Sequence, residues 1–128
     1  MSRMPLALIV DDNPSFRASA RLLLEPEGYL VAEVESGAAA VERAGAARPD
    51  LVLLDVQLPD LDGFAVAERL ARLESPPDVI LTSSRDCADY GSLVAASPAL
   101  GFIAKHELSP AAIRALLDGA RARESTGG

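Results

Sequence analysis

Five short apolar runs, each leading into a polar residue and then into a helical pattern, constrain this chain more than any other feature of it. The runs span 6–10, 29–34, 51–54, 79–81 and 100–104. The runs at 6–10 and 51–54 read as buried strands, and 29–34 as a strand with Val31 and Ala32 among its less polar residues. The intervals between them carry helix signals. Asn13-Pro14 reads as an N-cap with proline at the first helical position, and Phe16, Ala20, Leu23 and Leu24 recur at helical spacing to about Glu25, before Pro26-Glu27-Gly28. An alanine-rich helix is predicted over 38–47, and a third starts at Gly63 with Phe64, Ala67, Leu70 and Ala71 on one face. A fourth is predicted over 86–96, with a poor pattern that includes Gly91. Ser109-Pro110 caps the last, whose apolar face is Ile113, Leu116, Leu117 and Ala120. Strands alternating with helices in this way predict an α/β domain over 1–123: a five-stranded parallel sheet, doubly wound, with helices on both faces. Residues 124–128 are expected to be a disordered tail or the start of a linker.

A chain of 128 residues suffices for one domain with one sizeable core. The net charge of −7, with Lys and Arg scattered, argues against direct binding of nucleic acid or of anionic membrane by this chain. No apolar run approaches the roughly 20 residues needed to cross a bilayer. The N-terminus has no signal-peptide pattern, so a cytoplasmic location is expected. Cys87, the single cysteine, has no internal disulfide partner and reads as a small helix or loop residue.

Function is legible at the strand ends. In a parallel sheet all carboxyl ends lie along one edge, and doubly wound folds bind ligands there, where the strand order reverses. The first strand delivers Asp11 and Asp12 to that edge, the third Asp55, the fourth Thr82 and the fifth Lys105; the second ends in the less suggestive Glu35-Ser36. Clustered carboxylates repel one another unless a cation neutralises them, and oxygen ligands with room for water suit Mg²⁺. A carboxylate so placed can attack phosphorus and form an acyl phosphate, while metal and ammonium offset charge on the transferring oxygens. Any one of these residues alone is an ordinary cap or loop residue, and Asp60 and Asp62 read as turn residues before Gly63. The agreement of four strand ends raises the joint reading above its parts.

The pattern resembles the receiver domain of two-component response regulators. The resemblance rests on Asp11-Asp12, Asp55, Pro59 and Gly63 in the following loop, Thr82, and Gly101-Phe102-Ile103-Ala104-Lys105, over roughly residues 6–122. It implies a flavodoxin-like sheet of order 2-1-3-4-5 and a phosphorylation switch, a signalling protein rather than an enzyme, although one that catalyses its own phosphoryl transfer and autodephosphorylation. Asp55 would take a phosphoryl group from a histidine kinase or phosphotransfer protein. Asp12, Asp55 and the backbone carbonyl of Gln57 would ligate Mg²⁺, with Asp11 acting through water. Lys105 would pair with Asp55 and then with the phosphoryl group. Thr82 would move to a phosphoryl oxygen, and Phe102 would change rotamer, altering the face of the fourth helix, fifth strand and fifth helix. Gln57 and Ser84 stand where the family tunes the lifetime of its phosphoaspartate. The resemblance also implies a downstream protein target or an output domain elsewhere, and a homodimer on activation.

The chain departs from the family pattern at a few positions. His106 follows Lys105 where the family usually has proline, often after a cis peptide. A trans bond is expected here, because the cis form before a non-proline residue costs about 3 kcal/mol. A rearranged loop that shifts the lysine's aim is expected with it. Ser83 stands where Ala or Gly is preferred, and Leu58 where Met is frequent. Three other readings are weighed. A pseudo-receiver that binds partners independently of phosphorylation draws its support from His106. A metal-dependent phosphatase is disfavoured because Gln57, not an acid, lies two residues after Asp55. A nucleotide-binding protein lacks the glycine-rich loop after the first strand. No output domain is apparent: a stand-alone receiver and a fragment whose Ser125–Gly128 stretch begins a linker are both compatible with the sequence.

Overall fold

The central strand shows why the sheet forms. In a computed structural model, which describes residues 4–126 and side chains to 122, every residue of Leu51–Asp55 is buried. This strand, β3, lies between β1 (Leu6–Val10) and β4 (Asp78–Ser83), with β2 (Leu30–Val34) and β5 (Gly101–Ala104) at the edges. The order is β2-β1-β3-β4-β5 and every pairing is parallel.

Side chains alternate across a strand, so β3 divides its apolar residues between two cores. Leu51 and Leu53 join Ala7, Ile9, Ile80 and Ile103 on one face, under Ala20 and Leu24 of α1 (Pro14–Leu24) and Ile113 and Leu117 of α5 (Pro110–Thr126). Val52 and Leu54 join Leu8, Val10 and Leu81 on the other, under Ala40 and Ala44 of α2 (Gly37–Ala47) and Val66, Ala67 and Leu70 of α3 (Gly63–Ala71). Each buried Val, Leu or Ile among them contributes about 1.5–3 kcal/mol over its exposed state.

Two expectations change. The predicted helix over 86–96 is instead a tight 3₁₀ turn, Cys87–Tyr90, followed by a short α4, Leu93–Ala96. Gly91, with φ of 56°, breaks it, because that conformation cannot continue a right-handed helix. At the other end of the chain, the α5 backbone continues over 124–126, where a disordered tail or the start of a linker was expected. Gly127 and Gly128 lie outside the described residues. The other elements match the predicted ones to within two residues at most ends. No helix among the described residues is long and apolar enough to cross a membrane.

The loop after β3 is held to the neighbouring helices. The Asp60 carboxylate accepts hydrogen bonds from the N–H groups of Gly37 (2.8 Å) and Ala38 (3.0 Å) at the start of α2. Asp62 caps α3 by accepting from Phe64 N–H at 2.7 Å. The turn residues of the sequence reading are therefore helix caps. The Ala38 and Gly37 N–H groups hold the Asp60 carboxyl below its ordinary range. A depressed carboxyl contributes stability above its unfolded pKa and loses it as pH falls through the folded value. Asp60→Ala is therefore expected to lower the melting temperature at neutral pH, with a gap from wild type that closes in acid. Thermal unfolding followed across acidic pH measures this, and a gap independent of pH would contradict it.

Candidate functional site

Strand register brings the polar ends together. Val10 is opposite Leu54, Asp55 opposite Thr82, and Ser83 opposite Ala104. Asp11, Asp55, Thr82 and Lys105 thus sit within a residue or two of one line, on the edge where the order reverses between β1 and β3. Carboxylate oxygens of Asp11, Asp12 and Asp55 lie within 4.8 Å of one another. Asp11 and Asp55 are buried, at 0% and 5% exposure, and Asp12 is exposed.

Each buried carboxylate is held by the backbone just after it. Asp11 Oδ1 accepts from Asn13 N–H at 2.8 Å, and Asp55 Oδ1 from Gln57 N–H at 3.0 Å. That leaves both Oδ2 atoms facing the cluster. Lys105 Nζ lies 2.7 Å from Asp11 Oδ2 and 3.4 Å from Asp55 Oδ2. The Asp11 contact is a charge contact without an aligned hydrogen bond, since Oδ2 has no partner of acceptable hydrogen-bond geometry. Thr82 Oγ1 is likewise buried with no hydrogen-bond partner. An orphaned hydroxyl is costly in a folded protein and marks a place where an external acceptor or donor is needed.

Charge balance points the same way. Burial pushes the Asp55 carboxyl up, opposed by the Gln57 N–H and Lys105 and reinforced by the Asp11 charge. Burial pulls the Lys105 ammonium down, but Asp11 and Asp55 outweigh it and hold the group above its ordinary value. Three carboxylates facing one ammonium leave a negative excess. The residues present fit a hard divalent cation: three carboxylates converge within 4.8 Å and carry more negative charge than Lys105 offsets.

The other predicted residues are placed as follows. Gln57 is exposed and gives its N–H to Asp55; Ser84 is exposed beside the site strand. Phe102 is half-buried and is not in the acidic cluster. Its ring packs on Tyr90 at 5.7 Å, and Tyr90 packs edge-on to Phe64 at 5.7 Å. Tyr90 in turn shares a 2.5 Å hydroxyl–hydroxyl hydrogen bond with buried Ser83, the neighbour of Thr82. His106 is exposed in a 3₁₀ turn, Lys105–Glu107, with no cis peptide among the described residues, and Lys105 still reaches Asp55. Lys105 Nζ is closer to Asp11 Oδ2 than to Asp55 Oδ2.

Sequence reasoning missed several participants. Phe16 carries no sequence signal beyond its helical spacing, yet its ring centroid is 4.6 Å from Lys105 Nζ. The Arg17 guanidinium donates to the Asp11 carbonyl at 2.6 Å and to Glu33 at 3.1 Å, which fastens α1 to the end of β1 and to β2. The Ser83–Tyr90 bond had no sequence signal, because it depends on how the broken fourth helix folds back. A cavity beside Tyr29, Asp50 and Asp78 lies at the opposite edge of the sheet, away from the buried carboxylates Asp11 and Asp55.

Comparison with known proteins agrees with this geometry. The family described as "Response regulator receiver domain" matches residues 7–118. Transcriptional regulatory protein AfsQ1 of Streptomyces coelicolor is 37% identical over 86 residues, 67% of this chain and 38% of that protein. The DNA-binding transcriptional activator EvgA of Escherichia coli is 34% identical over 102 residues, 79% of this chain and 50% of that protein. The chain thus spans half or less of the length of these relatives. Among solved structures, the signal receiver domain of the response regulator NarL from Mycobacterium tuberculosis superposes with a TM-score of 0.80 at 32% identity, covering 95% of this chain and 100% of that one. A CheY-like receiver domain protein from Methanospirillum hungatei shares the fold, with a TM-score of 0.81 at 21% identity over 98% of this chain and 100% of that one. The acidic edge found from the strand ends is therefore set in a known architecture, and this chain belongs to the response regulator receiver domain family.

Proposed function

We propose that this receiver accepts a phosphoryl group from the phosphohistidine of a histidine kinase or phosphotransfer protein onto Asp55, with Mg²⁺ bound at Asp11, Asp12, Asp55 and the Gln57 backbone carbonyl. The observation that carries the reading is Thr82 Oγ1, buried and unpartnered next to Asp55. A phosphoryl oxygen would give that hydroxyl its missing acceptor.

The chain's own residues divide the work. Gln57 N–H fixes one Asp55 oxygen, leaving Oδ2 to attack phosphorus as the P–N bond to the donor imidazole breaks. Lys105, already 3.4 Å from that oxygen, offsets charge on the transferring group. Bound Mg²⁺ would neutralise phosphoryl oxygens and the surrounding carboxylates. Water attack on phosphorus later returns the carboxylate, at a rate to which Gln57 and Ser84 at the exposed mouth contribute. Once Thr82 turns towards the phosphoryl group, Phe102 repacks, and Tyr90, bonded to Ser83 and in tilted ring contact with Phe102, moves with it. The altered α4–β5–α5 face would engage a downstream protein or an output domain, or a second copy of the chain. The DNA-binding activity in the description of EvgA belongs to a protein about twice as long as the matched stretch. The reading places the chain in the cytoplasm, where such kinases present their phosphohistidine.

Intact-mass measurement after incubation with acetyl phosphate and Mg²⁺ tests the proposal. One phosphoryl adduct is expected, lost in Asp55→Asn. No adduct, or one that survives Asp55→Asn, would reject it in favour of a phosphorylation-independent interaction module. The same variant makes a second prediction. A carboxyl with a raised folded pKa contributes stability below its unfolded pKa and loses it as pH rises through the folded value. Ionised Asp55 is thus a net cost at neutral pH, and metal-free Asp55→Asn is expected to melt above metal-free wild type.

A further inference from the structure

We infer that Phe16 is a positioning residue for Lys105: its ring holds the ammonium at the Asp11–Asp55 edge by a cation–π contact. The inference rests on the proposed phosphoryl transfer and adds to it a residue from the first helix.

The geometry is specific. Lys105 Nζ sits 4.6 Å from the Phe16 ring centroid, well inside the roughly 6 Å over which a ring face attracts a cation. The Lys105 side chain is only 19% exposed, so water screens the attraction weakly. An ammonium has three N–H donors. Here Asp11 and Asp55 attract it from β1 and β3, and Phe16 attracts it from α1. The turn that carries the lysine, Lys105–Glu107, exposes His106 and Glu107 to solvent, so the grip on the ammonium comes from the other elements.

The ring is itself held in place. The Asn13 side chain accepts from Ser15 N–H at 2.9 Å and Phe16 N–H at 3.3 Å. Asn13 N–H donates to the Asp11 carboxylate at 2.8 Å, and Arg17 donates to the Asp11 carbonyl at 2.6 Å. The first turn of α1 is therefore tied to the same aspartate that pairs with the lysine. Phe16 also packs against the core beneath α1 and α5, which fixes its depth. A ring face attracts a cation over its whole area and imposes no hydrogen-bond direction. It can hold Nζ near the site while the ammonium slides from Asp11 to a phosphoryl oxygen.

The simpler reading is that Phe16 only fills the core. Phe16→Leu and Phe16→Tyr separate the two, because leucine keeps apolar packing and tyrosine also keeps the ring. Phe16→Leu is expected to slow phosphorylation by acetyl phosphate about fivefold, equivalent to the roughly 1 kcal/mol of a partly buried cation–π contact, while Phe16→Tyr restores the wild-type rate. In a Lys105→Ala background, Phe16→Leu is expected to slow it no further. Proton NMR adds a readout independent of phosphorylation: the Lys105 ε-methylene is shifted upfield by the ring in wild type and Phe16→Tyr, and the shift is lost in Phe16→Leu. A wild-type rate in Phe16→Leu, the same slowing without Lys105, or no ring-dependent shift would each overturn the inference. If wild type takes up no phosphate at all, the proposed function fails and the NMR shift alone decides the placement of Lys105.

Discussion

Lys105→Ala is expected to destabilise the metal-free protein by about 3 kcal/mol, the low end of what breaking a buried charge pair costs, since the lysine is partly solvated. The reason is Asp11. It is fully buried, it lies 2.7 Å from Lys105 Nζ, and its Oδ2 has no aligned hydrogen bond to fall back on. Removing the ammonium leaves it beside Asp55 and Asp12 with no other ion pair to a cation among the described residues. Mg²⁺ should restore much of the loss, because a ligand that binds only the folded state stabilises it by about 2.7 kcal/mol at a hundred times its Kd. The gain on adding Mg²⁺ should exceed that of wild type, in which ammonium and metal compete for the same oxygens. Urea unfolding with and without Mg²⁺ measures both effects. A midpoint equal to wild type in chelator would show that the pair contributes nothing. Phosphorylation of the variant by acetyl phosphate should also fall about a hundredfold, as it does when one preorganised charge-stabilising donor is removed.

Gly63→Ala is the second large effect. A Cβ built on Gly63 would stand 2.4 Å from the carbonyl oxygen of Asp55 and 2.6 Å from Cα of Val56. Both are backbone atoms, so no side chain can rotate away. The Gly63 N–H also donates to the Val56 carbonyl at 2.8 Å, closing the loop on the end of β3. Relieving the clash means separating α3 from β3, and a cost of about 3 kcal/mol follows from overpacking of this kind. Because the contact is with Asp55 itself, slower phosphorylation should accompany the lower stability. Gly45→Ala in α2 is the control. Its new methyl would meet nothing closer than Leu73 Cδ2 at 4.0 Å, and alanine favours a helix interior over glycine by about 1 kcal/mol. Equal stability of the two alanine variants would refute the close-approach account.

The strand–helix order was legible because burial on two faces forces continuous apolar runs, and those need no partner to be seen. The acidic edge was legible for a related reason. Parallel strands point one way, so Asp11, Asp55, Thr82 and Lys105 share an edge however far apart they stand in the chain. The segment 86–96 was not legible as a helix or its absence, because Gly91 permits either outcome and only its positive φ in the fold decides. Asp60 looked like any loop aspartate, and its two bonds to α2 depend on how α2 and the β3–α3 loop meet.

The sequence by itself determined which residues reach the carboxyl ends of the strands, because strand direction and period are local properties. The tertiary structure decided what those residues do to one another. It left Thr82 Oγ1 without a partner, set Lys105 closer to Asp11 than to Asp55, and laid the ring of Phe16 against the ammonium. Those are distances of a few ångströms between residues far apart in the chain, set by how α1 and the strands pack, and no spacing in the sequence encodes them.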